Sequence, residues 1–293
     1  MRGTGVVTAA SLVLLCAGAM AAEPGTPIPF TVNGAPLFAY MPGPAPSRSY
    51  VVELRTPSGL NVLRDQVADH IHHHGLMMSF MVDKVDFWAE TPECGKQIAQ
   101  SLEKTAAGIS ERLVWTGTDG AARLLESRAV TAAPDAESGC TLLRWRSEFS
   151  LPPGREKAEL TGSHYHGLGM RFIAAMDGQG PFFNASGVPG EIVRGEERNV
   201  PADWCAYTAK AEGKPVTVAM FAHPKNARHP AVWFTMPVGF AYMSATLNLH
   251  KEPLVLEGGE PLLLDYAVAL WDGTKTTDDI EKAYRRWLAD SPR

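Results

Sequence analysis

The sequence predicts an all-β fold: a large antiparallel β-sandwich followed by one C-terminal helix. From Tyr50 onward the chain consists of short apolar runs separated by turn signals, such as Asp119-Gly120, Asp177-Gly178, Gly258-Gly259 and Asp272-Gly273. Helical periodicity occurs at only one place, close to the C-terminus. Many short strands with little helix between them are typical of antiparallel sandwiches and barrels.

Residues 1–21 have the pattern of a secretory signal peptide. Arg2 supplies a positive start, an apolar stretch runs from Val6 to Leu15, and Ala19-Met20-Ala21 offers a small-x-small cleavage site. This pattern predicts cleavage near Ala21 and export to the periplasm or the medium. No later segment reaches the roughly 18 apolar residues that a membrane span needs, so we expect no membrane insertion.

The remaining chain divides into a Pro/Gly-rich N-terminal segment, 22–47, and a single β-sandwich domain, 48–293. Asn33-Gly34 predicts a short hairpin within the first segment. In the second, apolar runs predict strands at Tyr50–Arg55, Leu76–Trp88, Thr141–Phe149, Val216–Phe221 and Leu262–Leu270. We expect the run at 76–88 to be one strand buried on both faces.

The C-terminal helix is predicted from two signals. Thr276 and Asp279 resemble a capping box. Ile280, Ala283, Tyr284, Trp287 and Leu288 then recur at helical spacing and form one apolar stripe. We expect this helix to pack across a sheet.

Charge and cysteine content exclude some classes of partner and site. The net charge of −5, without a basic run, argues against nucleic acid as a partner. After signal cleavage Cys94, Cys140 and Cys205 allow at most one disulfide. Because no two of them have CxxC spacing, a structural zinc site is not expected.

The histidines are unevenly placed, which makes them the main candidates for function. Four lie in Asp69-His-Ile-His-His-His-Gly75 and two in His164-Tyr-His166. In an extended chain His70, His72 and His74 would project to one face, and so would His164 and His166. Such groups could hold a divalent metal (Zn, Cu, Fe or Ni) or transfer protons near pH 7.

Two further segments add candidate groups. In Val85-Asp-Phe-Trp-Ala-Glu90, an unbroken strand would place Asp86, Trp88 and Glu90 on one face, where Trp88 could stack on a sugar ring. Asp69, Asp86 and Glu90 are the acids that could cooperate with the histidines. The proline-bounded loop from His223 to Pro230 carries basic and amide groups. That loop is either a binding loop, in which Arg228 forks to a substrate group, or a structural turn in which Asn226 caps its own backbone.

Together these segments resemble the DUF6807 proteins, often labelled the "PmoA family". The resemblance covers Asp69 to Leu76, Asp86-Phe-Trp-Ala-Glu90, Gly167-Leu-Gly-Met-Arg171, Asn184-Ala-Ser-Gly187, Ala202-Asp-Trp204 and His223-Pro-Lys-Asn-Ala-Arg-His-Pro230 with Trp233. It departs from the family pattern at Ile71 and His74, which replace Pro and Arg, and at Ser244 to His250, which replaces Asn-Pro-Phe-Gly.

The resemblance implies an exported protein associated with sugar-degrading enzymes, but no settled chemistry. The label suggests a methane monooxygenase subunit, yet that membrane protein needs transmembrane helices that are not found in this sequence. The tail from Pro253 to Tyr266 is similar to the closing strands of galactose-mutarotase-like super-sandwiches. Fold similarity of this kind does not establish an activity.

Three functions follow as hypotheses. The first is a carbohydrate-active enzyme that performs a lyase, epimerase or hydrolase step by acid/base chemistry, with or without the help of a metal ion. Its substrate would be a glycoside, keto-sugar or uronic acid, either a small molecule or an oligosaccharide. The second is a non-catalytic periplasmic sugar-binding module with Trp88 and Trp233 as platforms, and the third is a copper- or zinc-binding protein. The candidate catalytic residues are His72, His73, His164, His166 and Glu90; the candidate substrate-binding residues are His70, Trp88, Arg171, His223, Asn226, Arg228, His229 and Trp233; and the candidate metal ligands are His70, His72 and His74.

Overall fold

The computed structural model describes residues 25–44, 46–68 and 70–291. The predicted signal peptide and Asp69 lie outside the described residues. Within them, the chain forms strands that are followed by one α-helix, α1 (Thr277–Asp290), with a short 3₁₀ turn at Ala174–Met176. The strands are β1 (Ile28–Val32), β2 (Ala35–Met41), β3 (Tyr50–Leu54), β4 (Leu76–Ser79), β5 (Met81–Val82), β6 (Val85–Asp86), β7 (Lys96–Lys104), β8 (Gly108–Thr116), β9 (Ala122–Asp135), β10 (Cys140–Ser150), β11 (Lys157–Thr161), β12 (Gly167–Arg171), β13 (Phe182–Asn184), β14 (Glu191–Ile192), β15 (Arg198–Pro201), β16 (Trp204–Ala211), β17 (Lys214–Ala222), β18 (Val232–Met236), β19 (Tyr242–Thr246), β20 (Leu254–Glu257) and β21 (Leu262–Asp272).

These strands form three antiparallel sheets, which confirms the predicted β-sandwich class. The largest has nine strands in the order β1-β2-β3-β4-β12-β19-β18-β15-β14. The second has eight, in the order β13-β16-β17-β21-β10-β9-β8-β7, and a small sheet has the order β20-β11-β5-β6. Neighbours that are distant along the chain, such as β4 and β12, bring remote segments together on one surface.

The main hydrophobic core lies between the two large sheets. Alternate side chains of each strand enter it, as the two-residue period of a strand requires. From the nine-stranded sheet come Leu168, Met170 and Met243, and from the eight-stranded sheet come Leu143 and Trp145, all fully buried. The intervening residues of the nine-stranded sheet therefore point to its outer face, away from this core.

Helix α1 packs on the outer face of the eight-stranded sheet, as predicted. Ile280, Tyr284 and Trp287 share one buried cluster with Trp204 and Phe221 of that sheet. The predicted capping box is present: Thr276 Oγ1 accepts from Asp279 N, and the Asp279 carboxylate accepts from Thr276 N. The helix thus closes a second, smaller core.

A buried charged network joins the two large sheets. Arg128 donates to both carboxylate oxygens of Glu126 at 2.8 Å, and also to the backbone oxygen of Ser49 at 3.0 Å. Glu111 accepts from Tyr40 Oη at 2.6 Å and from Ser49 Oγ at 3.0 Å. Because Tyr40 and Ser49 belong to the nine-stranded side and the charged residues to the eight-stranded side, the network fixes one sheet against the other.

Two boundaries predicted from the sequence were wrong. Segment 22–47 does not stand apart from the domain, because β1 and β2 are strands of the nine-stranded sheet and contribute Phe30, Phe38 and Tyr40 to the core. Its Pro and Gly content masks this alternating pattern, although the Asn33-Gly34 hairpin turn is present. The run at 76–88 is broken into β4, β5 and β6, with Asp83 and Lys84 at positive φ in the turn.

Cys94, Cys140 and Cys205 are free thiols and all are buried. In the part of the chain that the structure describes, no helix is long and apolar enough to cross a membrane.

Candidate functional site

A cleft of about 280 Å³ lies on the outer face of the nine-stranded sheet. Its floor comes from the outward-facing residues of β18 and β19, and its walls come from the loops between strands. Imidazoles and aromatic rings share the lining and contact each other, as His73 does with Tyr242 and His164 with Phe234. The lining residues are His70, His72, His73, His164, Tyr165, Arg194, Glu197, Phe234, Met236, Phe240 and Tyr242.

The first histidine cluster is a turn, not a strand. His70 N donates to Val67 O at 2.9 Å, and His73 N donates to His70 O at 2.8 Å. This tight turn replaces the alternation expected for an extended chain. Consequently His70, His72 and His73 face the cleft together, with ring centroids 4.6–5.9 Å apart, whereas His74 does not line it.

His74 lies instead between two carboxylates. Its Nδ1 donates to Asp65 at 2.6 Å and its Nε2 donates to Glu90 at 2.8 Å, while Tyr50 stacks on the ring. Burial opposes the charge on His74, but these hydrogen bonds outweigh burial and raise its pKa. Carboxylates only accept hydrogen bonds, so both ring nitrogens carry a proton and His74 is an imidazolium.

The metal ligand set His70, His72 and His74 is therefore not assembled. Both nitrogens of His74 are already engaged, and its ring lies away from the cleft. Across residues 25–44, 46–68 and 70–291, no group of three or more His, Cys, Asp or Glu side chains is arranged to hold a metal ion.

His73 is the most deeply buried of the three cleft histidines. It stacks on Tyr242 and meets Phe240 edge-on, and its Nδ1 has no hydrogen-bond partner. Burial, reinforced by the neighbouring His72 and His70, lowers its pKa to about 2. His73 is thus neutral at pH 7 and a weak base, because base strength falls with pKa.

His72 and His164 are more accessible and keep more basicity. Burial lowers the pKa of His72, with the Arg48 charge adding to the effect. Burial also lowers the pKa of His164, opposed by the charge of Glu197. Both rings are neutral near pH 7, a form that can accept a proton.

Glu197 and Arg194 form the charged end of the cleft. Arg194 donates to Glu197 Oε1 at 2.6 and 3.2 Å, which holds the carboxylate in place. Glu197 is 5% exposed, and its second oxygen, Oε2, has no hydrogen-bond partner. That oxygen lies 3.9 Å from His164 Nε2.

Trp88 and His166 form a buried layer behind the cleft. Their rings stack at 4.7 Å with an angle of 12°, and Trp88 also meets His73 edge-on. Burial lowers the pKa of His166 to about 4. At 3% exposure Trp88 cannot serve as an open platform for a sugar.

The other two i, i+2 arrangements that we expected from strands, His164 with His166 and Asp86 with Trp88 and Glu90, do not exist either. Residues 162–166 form a turn, which sends His164 into the cleft and His166 beneath it. After β6 ends at Asp86 the chain bends, and the Asp86 carboxylate accepts from Trp88 N at 2.6 Å. Glu90 then pairs with His74 and does not line the cleft.

Arg48 holds the histidine turn in place from behind. It is fully buried, and its guanidinium donates to His72 O at 3.2 Å and to the backbone oxygen of Trp88. It also lies 3.5 Å from the Glu90 carboxylate. Arg48 therefore links the turn to the segment that carries Trp88 and Glu90.

Gly169 leaves room for Tyr242 on the floor of the cleft. A Cβ at this position would overlap the Tyr242 hydroxyl group. Gly169 faces Met77 on one neighbouring strand and Ser244 on the other. The absent side chain lets the Tyr242 ring lie across the sheet and support His73.

The loop from His223 to Pro230 does not line the cleft. Asn226 exchanges hydrogen bonds with the backbone of Asp265 at 2.8 and 2.9 Å. Arg228 donates to the backbone oxygens of Leu247, Glu252 and Pro253. His229 pairs with Asp203 at 3.1 Å, and the His223 ring meets Trp287 of α1 edge-on. These contacts make the loop a structural element, but the predicted cap was wrong, because the Asn226 side chain binds the backbone of Asp265 in β21 and not that of its own turn. Of the three histidine groups, only those near 72 and 165 come together.

Two other predicted binding residues are buried. Trp233 is fully buried and donates from Nε1 to Ala202 O at 2.7 Å, so it is not a surface platform. Arg171 is 2% exposed and places its guanidinium 3.5 Å from the ring centre of Phe240, beneath the cleft lining.

Several cleft residues were missed from the sequence. Arg194 and Glu197 stand in a charged stretch, Arg194-Gly-Glu-Glu-Arg198, that is typical of an exposed turn. Phe234, Phe240 and Tyr242 lie in or beside apolar runs, where aromatic residues usually indicate only a buried strand. Only Tyr165, between two histidines, carried a local signal.

A family model described as a family of unknown function, DUF6807, matches residues 28–285. The chain belongs to the DUF6807 family. The match extends over both large sheets and most of α1, so it includes the cleft. A comparison with curated proteins finds no similar sequence.

Proposed function

We propose that this DUF6807 protein is an exported carbohydrate-active enzyme that uses the cleft for acid/base chemistry. The reaction is a lyase, epimerase or hydrolase step on a glycoside, keto-sugar or uronic acid. The observation that carries the proposal is the meeting of His70, His72 and His73 with His164 in one cleft. Export through residues 1–21 is part of the same proposal.

Two kinds of group line the cleft, and they suit a sugar in different ways. Phe240 and Met236, which are partly exposed, can contact the C–H surface of a pyranose. The imidazole nitrogens and the Glu197 carboxylate can bind its hydroxyl groups. A volume of about 280 Å³ is of the order of one or two sugar units.

His72 is our candidate for the base that accepts a proton, and His164 is our candidate for the partner group that donates a hydrogen bond to the substrate. They are accessible and neutral, whereas His73 is too weak a base for this role and serves as a hydrogen-bonding group. A positioned acid or base typically contributes about 10²–10⁴-fold to a rate.

The test is a substrate screen with matched histidine variants. Wild type, His72→Asn, His164→Asn and His223→Asn are assayed on methyl glycosides, 3-keto-glycosides and uronides. We expect His72→Asn or His164→Asn to lose about 10²-fold or more of the rate. His223→Asn should keep full activity, since His223 lies outside the cleft. Full activity in both cleft variants would contradict the proposal.

A non-catalytic sugar-binding protein is the second candidate. It is favoured by the aromatic residues of the cleft lining, which can contribute to binding without any proton transfer. Binding of a methyl glycoside by calorimetry, with no product from any substrate of the screen, would favour this function over the enzyme.

A further inference from the structure

Glu197 lines the cleft, and one of its carboxylate oxygens accepts no hydrogen bond from the described residues. Its backbone is fixed by hydrogen bonds to Arg194 O at 2.8 Å and from Val193 N at 3.0 Å, and its Oε1 is held by the Arg194 side chain. Oε2 is buried and accepts no hydrogen bond. Burial of a carboxylate oxygen without a hydrogen-bond donor costs free energy, and a ligand that donates a hydrogen bond to this atom would remove that cost.

His164 faces the same spot. Its Nε2 is 3.9 Å from Glu197 Oε2, which is too long for a hydrogen bond between them. An oxygen atom to one side of the line that joins these two atoms can lie about 2.8 Å from both. On the other side of the ring, Ser163 Oγ lies 3.3 Å from His164 Nδ1, and when this hydroxyl donates, Nε2 carries the proton.

We infer that Glu197 and His164 together bind one hydroxyl group of the sugar, which donates to Oε2 and accepts from Nε2. This inference rests on the proposed function and narrows its substrate class. A hydroxyl is the sugar group that donates and accepts at once. A substrate carboxylate at this position would meet the like charge of Glu197, so the group bound here is a hydroxyl of the sugar and not the acid group of a uronide.

The experiment measures binding of methyl glucoside, methyl galactoside and methyl mannoside, and of the monodeoxy derivatives of whichever binds best, by isothermal titration calorimetry. The variants are Glu197→Gln and, as the matched control, Glu196→Gln at the exposed neighbouring position. A hydrogen bond to a charged group contributes roughly 10–100-fold in affinity. We expect that loss in Glu197→Gln and none in Glu196→Gln.

The deoxy series gives a readout that needs no variant. One deoxy sugar should bind wild type as weakly as the parent sugar binds Glu197→Gln, and Glu197→Gln should not distinguish the two sugars. The inference is overturned, while the proposed function stands, if the parent sugar binds Glu197→Gln as tightly as it binds wild type. The same conclusion follows if every deoxy sugar loses the same affinity in wild type and in Glu197→Gln. If none of the three glycosides binds wild type, the inference is overturned, whereas the proposed function is decided separately by the screen on 3-keto-glycosides and uronides.

Discussion

Depth of burial divides the cleft histidines into different chemical roles. His73 is surrounded by Tyr242, Phe240 and two other imidazoles, and its proton affinity is largely lost. His164, on a turn at the rim, is less enclosed and lies near the carboxylate of Glu197. Four adjacent imidazoles therefore do not act as one uniform group.

The pH dependence of function follows from these shifts. The pKa of His72 and that of His164 lie below the ordinary value of about 6.5. Each ring is thus mostly neutral above about pH 6.5 and becomes charged only as the pH falls below that value. We expect the rate that depends on a histidine base to be flat through neutrality and to fall on the acid side. A pH–rate profile checks this, and an acid limb centred above pH 7 would contradict it.

Gly169 is the position where a single methyl group should disturb the floor of the cleft. Gly169→Ala forces Tyr242 to move, and overpacking of this kind costs about 1–3 kcal/mol of unfolding free energy. Urea denaturation measures the loss. Gly258→Ala, where a Cβ would meet only ordinary contact at 3.6 Å, is the matched control and should change little. Equal effects of the two substitutions would rule out the close approach as the cause.

The turn that carries the histidines is held by its neighbours. Arg48 binds the backbone oxygen of His72, and the His74 imidazolium joins Asp65 to Glu90. Tyr50, which stacks on His74, and Ser47, which donates to Glu90 at 2.7 Å, complete the surroundings. The charged cluster thus positions the cleft histidines through the backbone of the turn that carries them.

Replacing His74 should reveal a stability that depends on pH. The raised pKa of His74 makes its contribution complete below about pH 6.5 and lost as the pH rises through the folded-state pKa. Burial raises the pKa of Glu90, but the hydrogen bond from His74 and the charge of Arg48 outweigh burial and lower this pKa. The contribution of Glu90 to stability is therefore lost only in more acidic solution. We expect His74→Asn to cost about 3 kcal/mol between pH 5 and 6. The cost should shrink above pH 7.

Denaturant unfolding at several pH values measures this difference. His250→Asn, at an exposed position, is the control: because burial lowers the pKa of His250, this variant should lose no stability relative to wild type in acidic solution. A loss for His74→Asn that is the same at pH 5.5 and pH 9 would show that His74 acts only by packing.

Elements with a regular hydrophobic period were predictable, and turns were not. The runs at Thr141–Phe149 and Leu262–Leu270 correspond to β10 and β21, and the Thr276 cap begins α1 as expected. His70 to His74 has no period that separates a turn from a strand, so the side of each imidazole could not be assigned. Glu197 was not recognisable at all, because its role depends on pairing with Arg194 and on facing a histidine 33 positions earlier in the chain.

Across the whole molecule, the charged network between the sheets makes the two layers interdependent. Arg128→Met would leave Glu126 buried beside Trp115 and Ser147 without its cation. Removing one partner of a buried pair costs about 3–5 kcal/mol.

Arg123→Met is the matched control for this substitution, because Arg123 lies on the same strand and pairs with the exposed Asp119. It should cost less than about 1 kcal/mol. Thermal or urea unfolding of the two variants compares them, and a loss in Arg128→Met no larger than in Arg123→Met would mean that the network adds no stability.

The outermost strands of the two large sheets bear on how the protein behaves at high concentration. β13 and β14 have three and two residues, and β1 contains Pro29 and has a register shift between Phe30 and Thr31. β7 begins and ends with lysine and has a register shift between Ala99 and Ser101. Short, charged or irregular margins are poor templates for strand addition by another molecule. Resistance to fibril growth is thus built into the same strand order that assembles the histidine cleft.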